Sequence, residues 1–303
     1  VSVRPTDRAV EVLLELPAGF DTVVDDAGND VGTVNDVDVR RAILATDEPS
    51  ALTVADVQGP ADAPRPERDG HDATVVVMAG GRGERLRPLT DHLPKPLLAV
   101  GRTTILERLL ERLFESGFGD VWLAVNYMAD KIEATIGDGT RWGLRVRYLR
   151  EDRPLHTAGA LSLLPERPTG PIVVLNADQV THLSFARMVD YHRAEGAAVT
   201  IGVFFHEEQV RYGVVDLDGN AVTGMREKPT LRYPCNAGFY VIDPAVLDLV
   251  PAATSFSMVE LADAAMAAGH KVVAFPIVET WLDIGNFDDL NNALLFFVTG
   301  EEL

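Results

Sequence analysis

Residues 78–98 read MAGGRGERLRPLTDHLPKPLL and hold this chain's densest set of groups suited to binding phosphate. Gly80, Gly81 and Gly83 let the backbone approach a ligand closely and turn amides toward phosphate oxygens. Arg82, Arg85 and Arg87 add positive charge, and a guanidinium can fork two phosphate oxygens at once. Lys95 stands between Pro94 and Pro96, which restrict the backbone on both sides of it. Two common phosphate motifs are absent. A dinucleotide fingerprint needs a third glycine where Leu86 stands, and a P-loop needs Gly-Lys-Ser/Thr at its end.

Such a loop needs a rigid scaffold. The run ATVVVMA just before it suits a buried parallel strand. Residues 104–116 place Ile105, Leu106, Leu109, Leu110, Leu113 and Phe114 on a helical stripe, with Gly117 as its C-terminal cap. DVWLAVN, LRVRYL, PIVVLN, AVTIGVFF and CNAGFYVI read as further strands, with helical stretches between several of them. This alternation predicts an α/β fold: a Rossmann-like, mixed but mostly parallel sheet with helices on both faces. Ligands on such sheets gather at the C-terminal strand ends, where the glycine-rich loop falls.

Residues 58–72, QGPADAPRPERDGHD, are rich in Pro, Gly and charge and read as a linker. It divides a small α+β module, residues 1–57, from a large one, residues 73–303. The small module reads helix, strand, turn, strand, helix, with Thr6 as an N-cap and Ala27-Gly28-Asn29-Asp30 as the hairpin turn.

A 47% apolar content across 303 residues supports a sizeable core. The formal charge of −19 argues against a nucleic-acid-binding surface. The single cysteine, Cys235, excludes an intrachain disulfide and points to a cytoplasmic setting. No apolar run approaches a membrane span, and no signal-peptide core is expected at the N-terminus. No His or Asp is evidently placed to activate Cys235, which reads as a packing residue.

The string at residues 78–98 closely resembles the signature of the sugar-1-phosphate nucleotidyltransferase family, and the resemblance runs from about Val75 to Asn292. It implies that Ala79, Gly80, Gly81 and Gly83 hold a nucleoside triphosphate, Arg85 stabilises leaving pyrophosphate, and Lys95 contacts phosphate near the reacting centre. VRYLREDRPLHTAGAL resembles the family's base-reading segment and implies Glu151, His156, Thr157 and Ala158 on the nucleotide side. A carboxylate only accepts hydrogen bonds; guanine offers two adjacent donors and uracil or thymine one, so Glu151 leans toward GTP. His156 replaces the usual glycine, where it could crowd or stack on the base.

The resemblance further implies that Asp178 and Asp283 bind one Mg²⁺, a hard cation that takes carboxylate oxygen and offsets charge between two anionic reactants. Asp288 and Asp289 read instead as caps of the last helix, and His182 lacks the partners of a zinc site. On the sugar side it implies Asn176, Gly213, Glu227, Asn236 and Gly238, with Lys228 on the sugar phosphate. The expected substrates are an NTP, GTP first and UTP or dTTP second, and a hexose- or heptose-1-phosphate. A choline-phosphate cytidylyltransferase is a more distant alternative. A non-catalytic nucleotide-sugar sensor is the alternative of another class. No C-terminal acyltransferase β-helix is expected before Leu303. GTVNDVDVRRAIL resembles one CBS repeat, with Asn35 where a Thr is usual and Asp38 as the ribose-contacting residue. A single repeat implies a homo-oligomer, since such repeats act in pairs.

Overall fold

The structure, a computed structural model, describes residues 3–16, 20–60 and 72–299. The expected linker therefore lies mostly outside the described residues. Its ends are anchored: the Gly59 amide donates to the Thr33 carbonyl at 2.7 Å, and Asp72 pairs with Arg193.

The small N-terminal region runs α1 (Ala9–Glu15), β1 (Phe20–Val24), β2 (Asp30–Asn35), α2 (Asp36–Leu44) and α3 (Val54–Val57). β1 and β2 form an antiparallel hairpin, as the turn composition predicts. α1 begins at Ala9 behind Arg8, which makes no side-chain cap, so Thr6 is not its N-cap. Asn35 caps α2 by accepting from the Asp38 amide at 2.9 Å. Its own amide donates to the Asp38 carboxylate at 2.6 Å. Leu13, Val23, Val34, Val39, Ile43 and Val54 close a small core between these elements.

The large region starts with β3 (Thr74–Met78), followed by the short pair β4 (Ala99–Val100) and β5 (Thr103–Thr104) and by α4 (Ile105–Glu115). Thr104 and Glu107 form a capping box on α4, and Gly117 turns the chain with φ +86°. Then come β6 (Asp120–Val125), α5 (Ala129–Ile136), β7 (Arg145–Arg150), α6 (His156–Gly159), β8 (Ile172–Asn176), β9 (Gln179–Thr181) and α7 (Phe185–Glu195). β10 (Val199–Gln209), β11 (Val214–Asp218), β12 (Ala221–Arg226), β13 (Thr230–Ile242), α8 (Met258–Ala267), β14 (Val272–Pro276), β15 (Trp281–Asp283) and α9 (Phe287–Thr299) complete it.

Among the described residues the central sheet has seven strands in the order β14-β10-β13-β8-β3-β6-β7. Only β13 runs against its neighbours; the other pairings are parallel. Both faces are buried, as the continuous apolar strands require. Val75 and Val77 face α4, α5 and α7, while Val76 faces α8 across the other core. No described helix is long and apolar enough to cross a membrane.

Several strands of the large region are not evident from the apolar runs, among them four that shape its edges. β14 forms the sheet edge; β15 pairs with β9 outside the sheet; and β11 and β12 form a separate ribbon. The ribbon's cross-strand pairs Val215–Met225 and Leu217–Val222 leave large apolar side chains exposed, so burial cannot have set their pattern.

Candidate active site

A cleft of about 790 Å³ opens at the C-terminal ends of β3 and β8. β3 delivers Met78 and Ala79 to its floor, and the glycine-rich loop forms its rim. An added Cβ at Gly80 would meet Glu151 Oε1 at 3.1 Å and Asn126 Cβ at 3.2 Å. Gly83 has φ +60°, and a Cβ there would stand 2.9 Å from Lys95 Cβ. Glycine at these positions is thus set by close approach, and the Thr90 hydroxyl holds the loop by donating to the Gly83 carbonyl at 2.9 Å.

The cations divide. Arg82 and Arg85 line the cleft. Arg87 turns back to Asp91 at 3.3 Å and to Glu84 at 3.9 Å, so it neutralises its own loop and does not line the cleft. Lys95 is only 7% exposed, and its ammonium donates to Asp178 Oδ2 at 2.6 Å.

Asp178 follows β8, and β9 then pairs with β15 so that Asp283 lies opposite Gln179. The Ile284 amide donates to the Asp178 carbonyl at 3.1 Å, which ties the two acidic residues together although 105 positions separate them (283 − 178). Asp178 Oδ1 is buried without a hydrogen-bond partner. Burial, and then the Asp178 charge, push the Asp283 carboxyl above its usual range. An orphaned carboxylate oxygen beside a second, desolvated carboxyl fits one hard divalent cation. No cluster of three or more His, Cys, Asp or Glu suited to a metal occurs among the described residues. These two carboxylates would supply the protein ligands, and substrate or water oxygens the rest. Arg85 approaches the same point: a Cβ at Gly285 would meet Arg85 Nη1 at 3.2 Å and Asp283 Oδ2 at 3.2 Å. Asp289 accepts from the Gly285 and Asn286 amides at 3.0 and 2.9 Å, as a cap does.

Glu151 stands at the end of β7 with its carboxylate accepting from the Leu155 amide at 2.8 Å. Burial raises its pKa. His156 is exposed on the cleft wall with φ +60°, the backbone region that explains why a glycine would suit this position. Thr157 lines the cleft and accepts from the Met258 amide at 3.0 Å. Ala158 is fully buried and its amide donates to the Phe256 carbonyl at 2.9 Å, so it backs the wall and does not face the cleft.

On the other side, Asn176 lines the cleft at the end of β8. A Cβ at Gly238 would come within 2.5 Å of Asn176 Nδ2, and Asn236 accepts from the Gly238 amide at 2.9 Å. These three residues form one group on β8 and β13. Gly213, Glu227 and Lys228 form another at the root of the β11–β12 ribbon. Glu227 lies 3.1 Å from where a Gly213 Cβ would stand and 4.0 Å from Lys228 Nζ. Neither Glu227 nor Lys228 lines the cleft, and both side chains are largely exposed.

Sequence reasoning missed Asn126 and Gln179. Asn126 follows β6, lines the cleft and donates to the Glu151 carbonyl at 2.7 Å. Its place just after a predicted parallel strand was the available signal. Gln179 is buried between Asp178 and Gly238, with its carbonyl oxygen lacking a partner.

The fold and cleft define a nucleotide-handling α/β protein whose phosphate loop faces a two-carboxylate site. The chain belongs to the nucleotidyl transferase family, whose model matches residues 74–299. It is 31% identical over 233 residues to a mannose-1-phosphate guanyltransferase of Candida albicans, and 34% identical over 232 residues to a mannose-1-phosphate guanylyltransferase catalytic subunit beta of Xenopus tropicalis. Each alignment covers 74% of this chain and 64% of the relative, so the chain spans about two-thirds of those proteins. It is also similar to the crystal structure of HddC from Yersinia pseudotuberculosis complexed with GMP-PN, with TM-score 0.57 and 25% identity over 74% of this chain and 99% of that one.

Proposed function

We propose that this protein is a sugar-1-phosphate guanylyltransferase, joining GTP to a hexose- or heptose-1-phosphate with release of pyrophosphate. The observation that carries the reading is the convergence of the Gly80–Gly83 loop, Arg85 and Lys95 on Asp178 in one cleft, with Asp283 just behind the lining residue Gly285. The names of the relatives make mannose-1-phosphate the first sugar to try.

A phosphate oxygen of the sugar-1-phosphate attacks the α-phosphorus of GTP in line, and the bond to the β-phosphate oxygen breaks. The attacker is already an anion, so no strong general base is needed. The loop amides hold the triphosphate, Arg85 takes charge developing on pyrophosphate, and Lys95 and Lys228 contact phosphate beside the reacting centre. Glu151 reads the guanine donors. Asn176, Gly213, Glu227, Asn236 and Gly238 form the sugar side. Asp178 and Asp283 would hold Mg²⁺, which when bound would supply charge compensation between the two anionic substrates.

In this reading residues 1–57 are a CBS-like module, 58–72 a linker and 73–303 the catalytic domain of a cytoplasmic homo-oligomer. The order α1-β1-β2-α2 and the Asn35–Asp38 cap support the module. The test is pyrophosphate release with Mg²⁺, crossing five NTPs against a panel of sugar-1-phosphates. Release with GTP and one sugar is expected. Release with UTP or dTTP overturns the base assignment, and nucleotide-sugar binding without release overturns the enzyme reading.

A further inference from the structure

The family match begins at residue 74, yet the most completely buried ion-pair network among the described residues reaches outside it. Arg40 of α2 has no exposed surface and is held on every side. Its guanidinium donates to Asp36 at 2.7 and 3.1 Å, to Glu279 at 2.6 and 3.3 Å, and to the Pro276 carbonyl at 2.5 Å. Its flat face lies 4.1 Å from the Phe275 ring centre. Arg187 of α7 completes the set, donating to Asp36 at 3.4 Å and to the Leu13 and Leu16 carbonyls at 3.0 and 2.5 Å. Burial pushes the Glu279 carboxyl up, but the Arg40 charge and hydrogen bonds outweigh it and hold the group below its usual range.

The target of this grip matters more than its strength. Pro276 ends the edge strand β14, and Glu279 lies in the connection to β15, which carries Asp283. β15 has three residues and a single pairing partner, β9, so its own ladder is short. It is fastened at two ends. Downstream, the Ile284 amide bonds the Asp178 carbonyl. Upstream, the Thr280 carbonyl accepts from the His182 amide at 3.0 Å and the Thr181 hydroxyl at 2.8 Å, and the residue before it is the one Arg40 holds. A short strand bearing a ligand carboxylate depends on such supports for its placement.

We propose that Arg40 is a positioning residue for Asp283: the N-terminal module clamps the Pro276–Glu279 connection and so sets the separation of the two carboxylates that take the divalent cation. This rests on the reading of Asp178 and Asp283 as the metal pair. The module thereby acts as a part of the catalytic apparatus that the family core does not contain, whatever else it binds.

The test measures Mn²⁺ affinity of the full chain by calorimetry and electron paramagnetic resonance, with GTP present and with no turnover required. The Arg40→Lys variant keeps the charge and loses the fork; Glu279→Gln keeps the shape and weakens the grip. Loss of a supporting hydrogen bond around a metal ligand costs about 10–100-fold in metal affinity. Each variant is expected to bind Mn²⁺ at least about tenfold more weakly, while metal-free GTP binding stays at the native level, because the glycine-rich loop does not touch the network. Folding is checked by circular dichroism, and Glu279→Gln is the variant to read if Arg40→Lys does not fold. Native Mn²⁺ affinity in a folded variant with a lowered melting temperature means that Arg40 is structural only and overturns the proposal. Absence of Mn²⁺ binding by the native protein overturns the metal pair itself, and is visible before any variant is made.

Discussion

The two sides of the cleft are built differently. On the side assigned to the nucleotide, Lys95 is 7% exposed and bonded to Asp178, Gly83 leaves no room for a side chain, and Glu151 is fixed by the Leu155 amide. Lys228, assigned to the sugar phosphate, lies outside the cleft lining at the root of the ribbon, and its side chain is 60% exposed. Groups held by buried strand ends keep their geometry without a ligand, so they contribute pre-organised charge. Groups on an exposed ribbon must be ordered when the ligand arrives, and part of their binding energy is lost to that ordering. The contrast predicts a rigid nucleotide site and a sugar-phosphate contact that forms on binding, beside the Asn176, Asn236 and Gly238 group that the main sheet already holds.

Four changes test this contrast. The largest effect is expected from Asp178→Asn, which removes one carboxylate of the pair and the partner of Lys95. Metal-assisted charge stabilisation contributes several kcal/mol, so turnover should fall by about three orders of magnitude while the melting curve stays cooperative. Pyrophosphate release and calorimetry check it, and near-native turnover in the folded variant sinks the metal assignment. Next is Gly83→Ala. A left-handed backbone costs an ordinary residue about 1–2 kcal/mol, and the new Cβ presses on Lys95. The expected result is a drop of about tenfold in kcat/KM for the NTP. An unchanged value means the loop moves freely and the site is not rigid.

Lys228→Met should be milder. A hydrogen bond from a charged donor is discounted for exposure to about 1 kcal/mol, which is about fivefold in KM for the sugar phosphate with KM for the NTP unchanged. Equal changes in both would erase the division between the two sides.

The smallest effect concerns pH. Burial, and the Asp178 charge, raise the Asp283 carboxyl, so in the metal-free protein it takes a proton at a higher pH than an ordinary aspartate. A folded pKa above the unfolded one favours the fold at low pH, and this contribution is lost as pH rises through the folded value. Metal binding runs the other way, since it needs the carboxylate. Mn²⁺ affinity should therefore weaken on acidification, starting above the usual aspartate range. In Asp178→Asn, with the neighbouring charge gone, the Asp283 carboxyl should move back toward its usual value, as NMR titration of that group would register.

The apolar runs of the sequence sufficed for the core strands β3, β6, β8, β10 and β13, because strands buried on both faces need continuous hydrophobic stretches, whereas β7, at the sheet edge, alternates buried and exposed residues. The phosphate loop was legible for a similar reason: its glycines answer to local backbone demands, and its Arg and Lys spacing is local too. What sequence could not determine is long-range. β15 and the ribbon are short or exposed and leave no burial pattern. Arg87 resembles Arg85 in the string, and only the fold turns one toward Asp91 and the other toward Asp283. Ala158 sits in a site-like string but packs inward. Arg40 looks like any helix-surface arginine until α2 docks on the edge of the sheet. Local composition specifies strands, helices and turns, because their forces act within a few residues. Which side chains then meet, and which are buried with their charges, is decided by packing between elements far apart in the chain.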